Sequence, residues 1–140
     1  MVNDRPFEAI QVGDKASFSK TLSEADVYGF AGITGDFNPV HVNEAFASET
    51  RFKKRIAHGM LTASLISTVI GTDLPGANTI YMSQEVKFTA PVYLGDTLTA
   101  EVEVLEKRED KRILTLKTTV VNQNGQMVVD GQAKAMKMQA

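Results

Sequence analysis

The chain contains no cysteine. That excludes a disulfide framework, a thiolate nucleophile and every thiolate metal site, and it suits a reducing compartment. An excess of positive charge is also missing. Lys and Arg number 15 against 17 Asp and Glu, a net charge of −2, and the cations are scattered rather than striped. Nucleic-acid binding relies on a basic face that neutralises phosphate, so no nucleic-acid partner is expected. Long apolar runs are absent as well. The longest uncharged stretch, Gly59 to Thr72, falls short of the ~18 apolar residues of a membrane-spanning helix. It reads instead as a buried helix. The opening residues, Met1 to Glu8, carry acids early and have no apolar h-region, so they do not read as a signal peptide. No membrane association is expected, and the cytoplasm is the expected location. With no repeat, low-complexity tract or linker, residues 1–140 are treated as one domain.

What is present has the balance of a globular protein: 43% apolar residues, 23% charged, and seven Phe with three Tyr to anchor a core. A chain of this length buries a sizeable core without metals or cross-links. Alternation predicts a first strand over Lys15 to Lys20, where Ala16 and Phe18 face one way. The capping signature Ser23-Glu24-Ala25-Asp26 opens a helix with Val27, Phe30 and Ala31 on its apolar face, and Gly35 is placed to end it. Pro39 argues against regular helix over Asp36 to Val42. Asn43 reads as the cap of a short helix through about Thr50. The uncharged helix from Gly59 is apolar nearly all round and requires cover on most sides; Gly71 and Leu74-Pro75-Gly76 end it. The remainder reads as strand: Thr79 to Thr89, the alternating run Leu98, Ala100, Val102 and Val104, then Leu114 to Val120, and Met127 to Met138 after the hairpin signal Asn124-Gly125. The expected architecture is α+β, one strand and helices followed by a four-strand antiparallel meander, with the sheet wrapped around the buried helix.

Taken alone, Asp36-Phe37-Asn38-Pro39 is a competent turn, since Asp and Asn satisfy local backbone groups and Pro fixes φ. His41 alone could be a structural histidine, and no second His or acid stands at metal-ligand spacing, so no metal is expected. Ser67 could be a helix serine bonded to its own backbone. The run Lys53-Lys54-Arg55 reads as a solvated face, or as a contact for nucleotide phosphates. His58 reads as structural, fixing the start of the helix at Gly59.

Three blocks change the weighting. Gly35-Asp36-Phe37-Asn38-Pro39-Val40-His41, Ile56-Ala57-His58-Gly59-Met60 and the run Phe88 to Leu98 occur in that order, and together they resemble the MaoC-type (R)-specific enoyl-CoA hydratases, in particular the short bacterial ones that supply polyhydroxyalkanoate synthesis. The likeness covers nearly the whole chain and is weakest in the first fifteen or so residues. It implies a hot-dog fold, a homodimer joined sheet edge to sheet edge, an acyl-CoA substrate and no cofactor, CoA being part of the substrate. It also implies that Asp36 and His41 are the catalytic pair, that the Gly59 backbone N–H polarises the thioester carbonyl, and that Ser67 and Asn38 play supporting roles.

These residue types suit the reaction. Hydrating a trans-2-enoyl thioester requires a water held and deprotonated against C3, a proton delivered to C2, and stabilisation of charge on the thioester oxygen. A carboxylate and an imidazole can hold one water from two sides and exchange protons near neutral pH. A first-turn amide at the positive end of a helix can receive the oxygen, and glycine lets it approach. Five positions along an extended, proline-containing segment can turn Asp36 and His41 toward one point. Rival readings are a 3-hydroxyacyl dehydratase acting on acyl-carrier protein, a hot-dog thioesterase, and a non-catalytic acyl-CoA-binding module. The thioesterase would carry an acid on the central helix, and Gly59 to Ile70 has none. The binding module would lack the Asp or the His, and both are present.

Overall fold

The structure, a computed structural model, describes residues 1–139. Strand β1 (Lys15–Thr21) leads into α1 (Glu24–Thr34). The Ser23 side chain accepts from the Asp26 amide while Asp26 reaches back to the Ser23 amide, a reciprocal cap that satisfies two orphan donors. Gly35, in the left-handed region at φ 82°, ends the helix as expected. The segment that follows departs from expectation. Pro39–Val42 forms a four-residue helix, α2, with Asn38 as its cap. Proline does not block it, because Pro39 occupies the first helical position, where the missing N–H would be unpaired anyway. Asn43 caps α3 (Glu44–Ser48) by accepting from the Phe46 amide; that helix ends slightly before the expected boundary.

Helix α4 (Gly59–Thr72) packs against β1 and three strands of the second half: β2 (Thr79–Phe88), β3 (Thr97–Arg108) and β4 (Ile113–Val121). The last strand is β5 (Met127–Lys137). All neighbours are antiparallel, in the order β1-β3-β4-β5-β2. The second half is therefore not a four-strand meander. Only β3, β4 and β5 follow one another, whereas β2 lies at the far edge beside β5. The connections explain this. Tight turns join β3 to β4 and β4 to β5, while residues 89–96 carry Pro91 and cross the molecule. They are tied down where the Ala57 amide donates to the Val92 carbonyl (2.7 Å) and the Leu22 amide to the Asp96 carbonyl (2.8 Å).

The sheet and α4 enclose the core. Leu98, Ala100, Val102 and Val104 alternate inward from β3 and are fully buried, as are Leu114, Leu116 and Val120 from β4. Ile66, Val69 and Ile70 of α4 meet them. Full burial of each large aliphatic side chain contributes about 1.5–3 kcal/mol. The helix is not covered all round: Met60, Ser64, Ser67 and Gly71 share an exposed side. No helix among the described residues is long and apolar enough to cross a membrane.

Candidate active site

The site forms where the α1–α2 turn meets the start of α4. The Thr34 hydroxyl donates to the Phe30 carbonyl (2.8 Å) and accepts from the Asp36 amide (3.1 Å). One Asp36 oxygen, Oδ1, accepts from the Asn38 amide at 3.1 Å. Asn38 in turn accepts from the Val40 amide at 3.2 Å. Each side chain thus holds the backbone two residues on, the local bonding that favours Asx residues in turns. Oδ1 is the Asp36 oxygen engaged in this turn, and Asp36 as a residue is exposed and lines the site's cavity. His41 follows one helical turn later, its amide donating to the Asn38 carbonyl at 2.9 Å. The pair therefore converges through a tight turn followed by a helical turn, not along an extended segment.

His41 is buried. Its Nδ1 lies 2.7 Å from the Ile56 carbonyl, which can only accept, so Nδ1 carries the proton and the neutral ring presents its lone pair at Nε2. Burial holds the His41 pKa below its ordinary 6.5; the bond to Ile56 opposes that, the neighbouring His58 lowers it further and Asp36 raises it.

His58 joins this pair. Its Nε2 donates to the backbone carbonyl of Asp36 at 2.9 Å. Its ring lies 3.9 Å from that of His41, tilted 30°, and 4.8 Å from Phe30. Its structural task is thus to hold the Asp36 turn, and its side chain makes no bond that caps α4. Donor atoms of Asp36, His41 and His58 all lie within 4.8 Å of one another, a proximity hidden by sequence spacing. Of the ring nitrogens, His41 Nδ1 and His58 Nε2 are already engaged with carbonyls, while His58 Nδ1 is buried without a partner.

Asp36, His41, His58 and Gly59 line a cavity of about 780 Å³ whose walls include Phe30, Phe52, Met60, Phe88 and Val129. Gly59 is the first residue of α4, where the backbone amide has no partner within the helix. A Cβ at Gly59 would stand 2.9 Å from Cε1 of Phe88, so a side chain here would have to displace that ring from the cavity wall. A polar end with a carboxylate, an imidazole and a helix-terminal amide opens into an apolar chamber, an arrangement suited to proton transfer beside a polarised carbonyl.

Asn38 acts as a helix cap and is not among the cavity-lining residues. Ser67 lies on the exposed side of α4, about two turns beyond Gly59, and also outside the lining. Lys53 and Lys54 are exposed as expected of a solvated run. Arg55 is not: its side chain is 10% exposed. The residues missed by sequence reasoning, Phe30, Phe52 and Val129 among them, are ordinary apolar residues with nothing in their spacing to separate wall from core. His58 carried the one available signal, its position beside Gly59.

The MaoC-like domain model matches residues 8–126. The chain belongs to the MaoC-like family. Within it, the chain is 51% identical over 130 residues to an (R)-specific enoyl-CoA hydratase from Rhodospirillum rubrum, covering 93% of this chain and 90% of the relative. Two solved structures share the hot-dog fold closely. One is an unliganded (R)-hydratase from Pseudomonas aeruginosa, with TM-score 0.93, 47% identity and coverage of 98% and 88%. The other is an (R)-hydratase from A. caviae involved in PHA biosynthesis, with TM-score 0.91, 46% identity and coverage of 94% and 99%. The MaoC-like resemblance read from the three sequence blocks thus extends to the fold.

Proposed function

We propose that this MaoC-like chain is an (R)-specific enoyl-CoA hydratase, adding water to trans-2-enoyl-CoA to give (R)-3-hydroxyacyl-CoA. The observation that carries the reading is that Asp36, His41 and Gly59 line one largely apolar cavity, with donor atoms of Asp36 and His41 within 4.8 Å of each other. Similarity to (R)-specific hydratases over nine-tenths of the chain supports the same reaction.

In this mechanism an Asp36 carboxylate oxygen and His41 Nε2 hold one water between them. The water oxygen attacks C3 as its proton passes to the pair, and the proton returned to C2 completes the addition. The Gly59 N–H donates to the thioester oxygen, where negative charge builds; loss of a comparable oxyanion donor costs about 2.7–4 kcal/mol. The acyl chain lies along Phe30, Phe52 and Phe88. Proton transfer and carbonyl polarisation account for the whole reaction, so we assign no metal and no cofactor. Asn38 supports the site by capping the turn that carries His41. We assign Ser67 no proton transfer; any support it gives acts from the open side of α4.

We further propose a homodimer formed at β2. This edge strand exposes Ile80, Tyr81, Met82 and Phe88, and an unpaired apolar edge invites a second strand. The absence of cysteine supports placing the enzyme in the cytoplasm.

The test is to mix the protein with crotonyl-CoA, follow loss of the enoyl absorbance, and determine the configuration of the product. Turnover to the (3R) alcohol is expected. Binding of the thioester without turnover would establish a non-catalytic module instead, and turnover much faster on a carrier-protein thioester would establish the dehydratase reading.

A further inference from the structure

The reaction scheme uses no member of the basic run, but Arg55 is built into the protein differently from its exposed neighbours Lys53 and Lys54. Its side chain is 10% exposed and reaches two helices, α1 and α2. Nε donates to the His41 backbone carbonyl at 2.7 Å, Nη1 donates to Glu24 Oε1 at 2.6 Å, and the guanidinium lies 5.1 Å over the Tyr28 ring. Nη2 is buried without a hydrogen-bond partner. Burying a guanidinium is costly unless its hydrogen bonds are made, so a half-satisfied one at this position calls for a purpose beyond stability.

The purpose lies in the helix it touches. Helix α2 has four residues, too few to sustain itself by its own ladder. Its last carbonyls have no following turn to accept from, and a cation at a helix C-terminus both donates to those carbonyls and matches the dipole. Arg55 supplies that donor to His41 itself. The next residue completes the attachment: the Ile56 amide donates to the Val40 carbonyl at 3.2 Å, and the Ile56 carbonyl accepts from His41 Nδ1 at 2.7 Å. His41 is thus fastened by its carbonyl to Arg55 and by its ring to Ile56. Glu24, in the first turn of α1, fixes the far end of the guanidinium.

We propose that Arg55, anchored by Glu24, is a positioning residue for the hydration: it clamps the α2 turn so that His41 stays bonded to the Ile56 carbonyl and keeps Nε2 directed at the water. This rests on the hydratase reading for its kinetic consequence, but the clamp itself is measurable without turnover. A lysine keeps the charge yet lacks the planar fork that meets His41 and Glu24 together, so Arg55→Lys preserves part of the clamp and Arg55→Met none of it.

The experiment compares wild type, Arg55→Lys, Arg55→Met and Glu24→Gln, each checked for native circular dichroism and thermal midpoint. Nitrogen-15 spectra of the imidazoles report the His41 tautomer, and crotonyl-CoA kinetics report kcat and KM. The expected result is a single Nδ1–H tautomer in wild type. In Arg55→Met it becomes mixed, with kcat lower by about 10- to 100-fold, the scale of a small misplacement, and KM little changed. Arg55→Lys and Glu24→Gln should fall between. A His41 tautomer unchanged in folded Arg55→Met, or in Glu24→Gln should the former not fold, overturns the proposal whatever the kinetics. If wild type proves inactive while the tautomer responds, the hydratase reading fails and the clamp stands.

Discussion

Strand β4 is hydrogen-bonded to β3 on one side and β5 on the other, with Leu114, Leu116 and Val120 buried beneath it. Between Gly35 and His58, by contrast, the chain forms helices of only four and five residues. That segment keeps its shape largely through side chains that bond to backbone: Asp36 to the Asn38 amide, Asn38 to the Val40 amide, Arg55 to the His41 carbonyl, His58 to the Asp36 carbonyl. Ladder and burial make a scaffold that tolerates change on its surface. A segment fastened by individual polar contacts can instead be shaped for chemistry, and each contact becomes a separate point of failure. Stability and activity should therefore separate by region.

The separation should be sharpest at His41. His41→Ala should lower kcat/KM on crotonyl-CoA by about 10²- to 10⁴-fold, the usual share of a general base, with only a modest change in the denaturant midpoint. The opposite pattern is expected in the sheet. Leu116 is fully buried, and Leu116→Ala should reduce unfolding free energy by about 2–5 kcal/mol. Its turnover per folded molecule should stay near wild type. Equal activity losses at the two positions would break the distinction.

Smaller effects refine it. Asn38→Ala removes the cap of α2 and should cost about 0.5–2 kcal/mol, yet reduce kcat more than the equivalent Asn43→Ala, because only α2 carries His41. The smallest effect is on pH dependence. The folded pKa of His41 lies below its ordinary 6.5, so the unfolded chain takes up the proton first as pH falls. Its contribution to stability is complete above 6.5 and is lost as pH drops through the folded value. In a nuclear magnetic resonance titration the His41 ring should titrate below 6.5; a midpoint above that value would show that burial does not control this group.

The scaffold was largely legible because its signals are local and repetitive. Alternation located β3 and β4, the Ser23–Asp26 capping box and Gly35 bounded α1, and Asn124-Gly125 marked the last hairpin. The place of β2 beside β5 was not legible, since strand pairing across the molecule depends on where residues 89–96 travel and no short-range pattern records that path. The site divided in the same way. Asp36, His41 and Gly59 stood out through motif and resemblance, and they meet in space. That His58 lies tilted against His41 and that Arg55 turns inward while Lys53 and Lys54 stay in solvent are consequences of tertiary contacts. The preference for a solvated basic run was overridden at Arg55 by the His41 carbonyl and Glu24.

The central claim is that an exposed carboxylate in a competent turn, Asp36, is the group that works on the water. The most direct measurement is the rate of crotonyl-CoA hydration by Asp36→Asn beside wild type, both confirmed folded by thermal melting. Asparagine preserves the turn through its own oxygen but cannot accept the proton. The expected result is a near-native melting temperature with turnover reduced by at least about 10²-fold. A folded Asp36→Asn protein with near-normal turnover would contradict it.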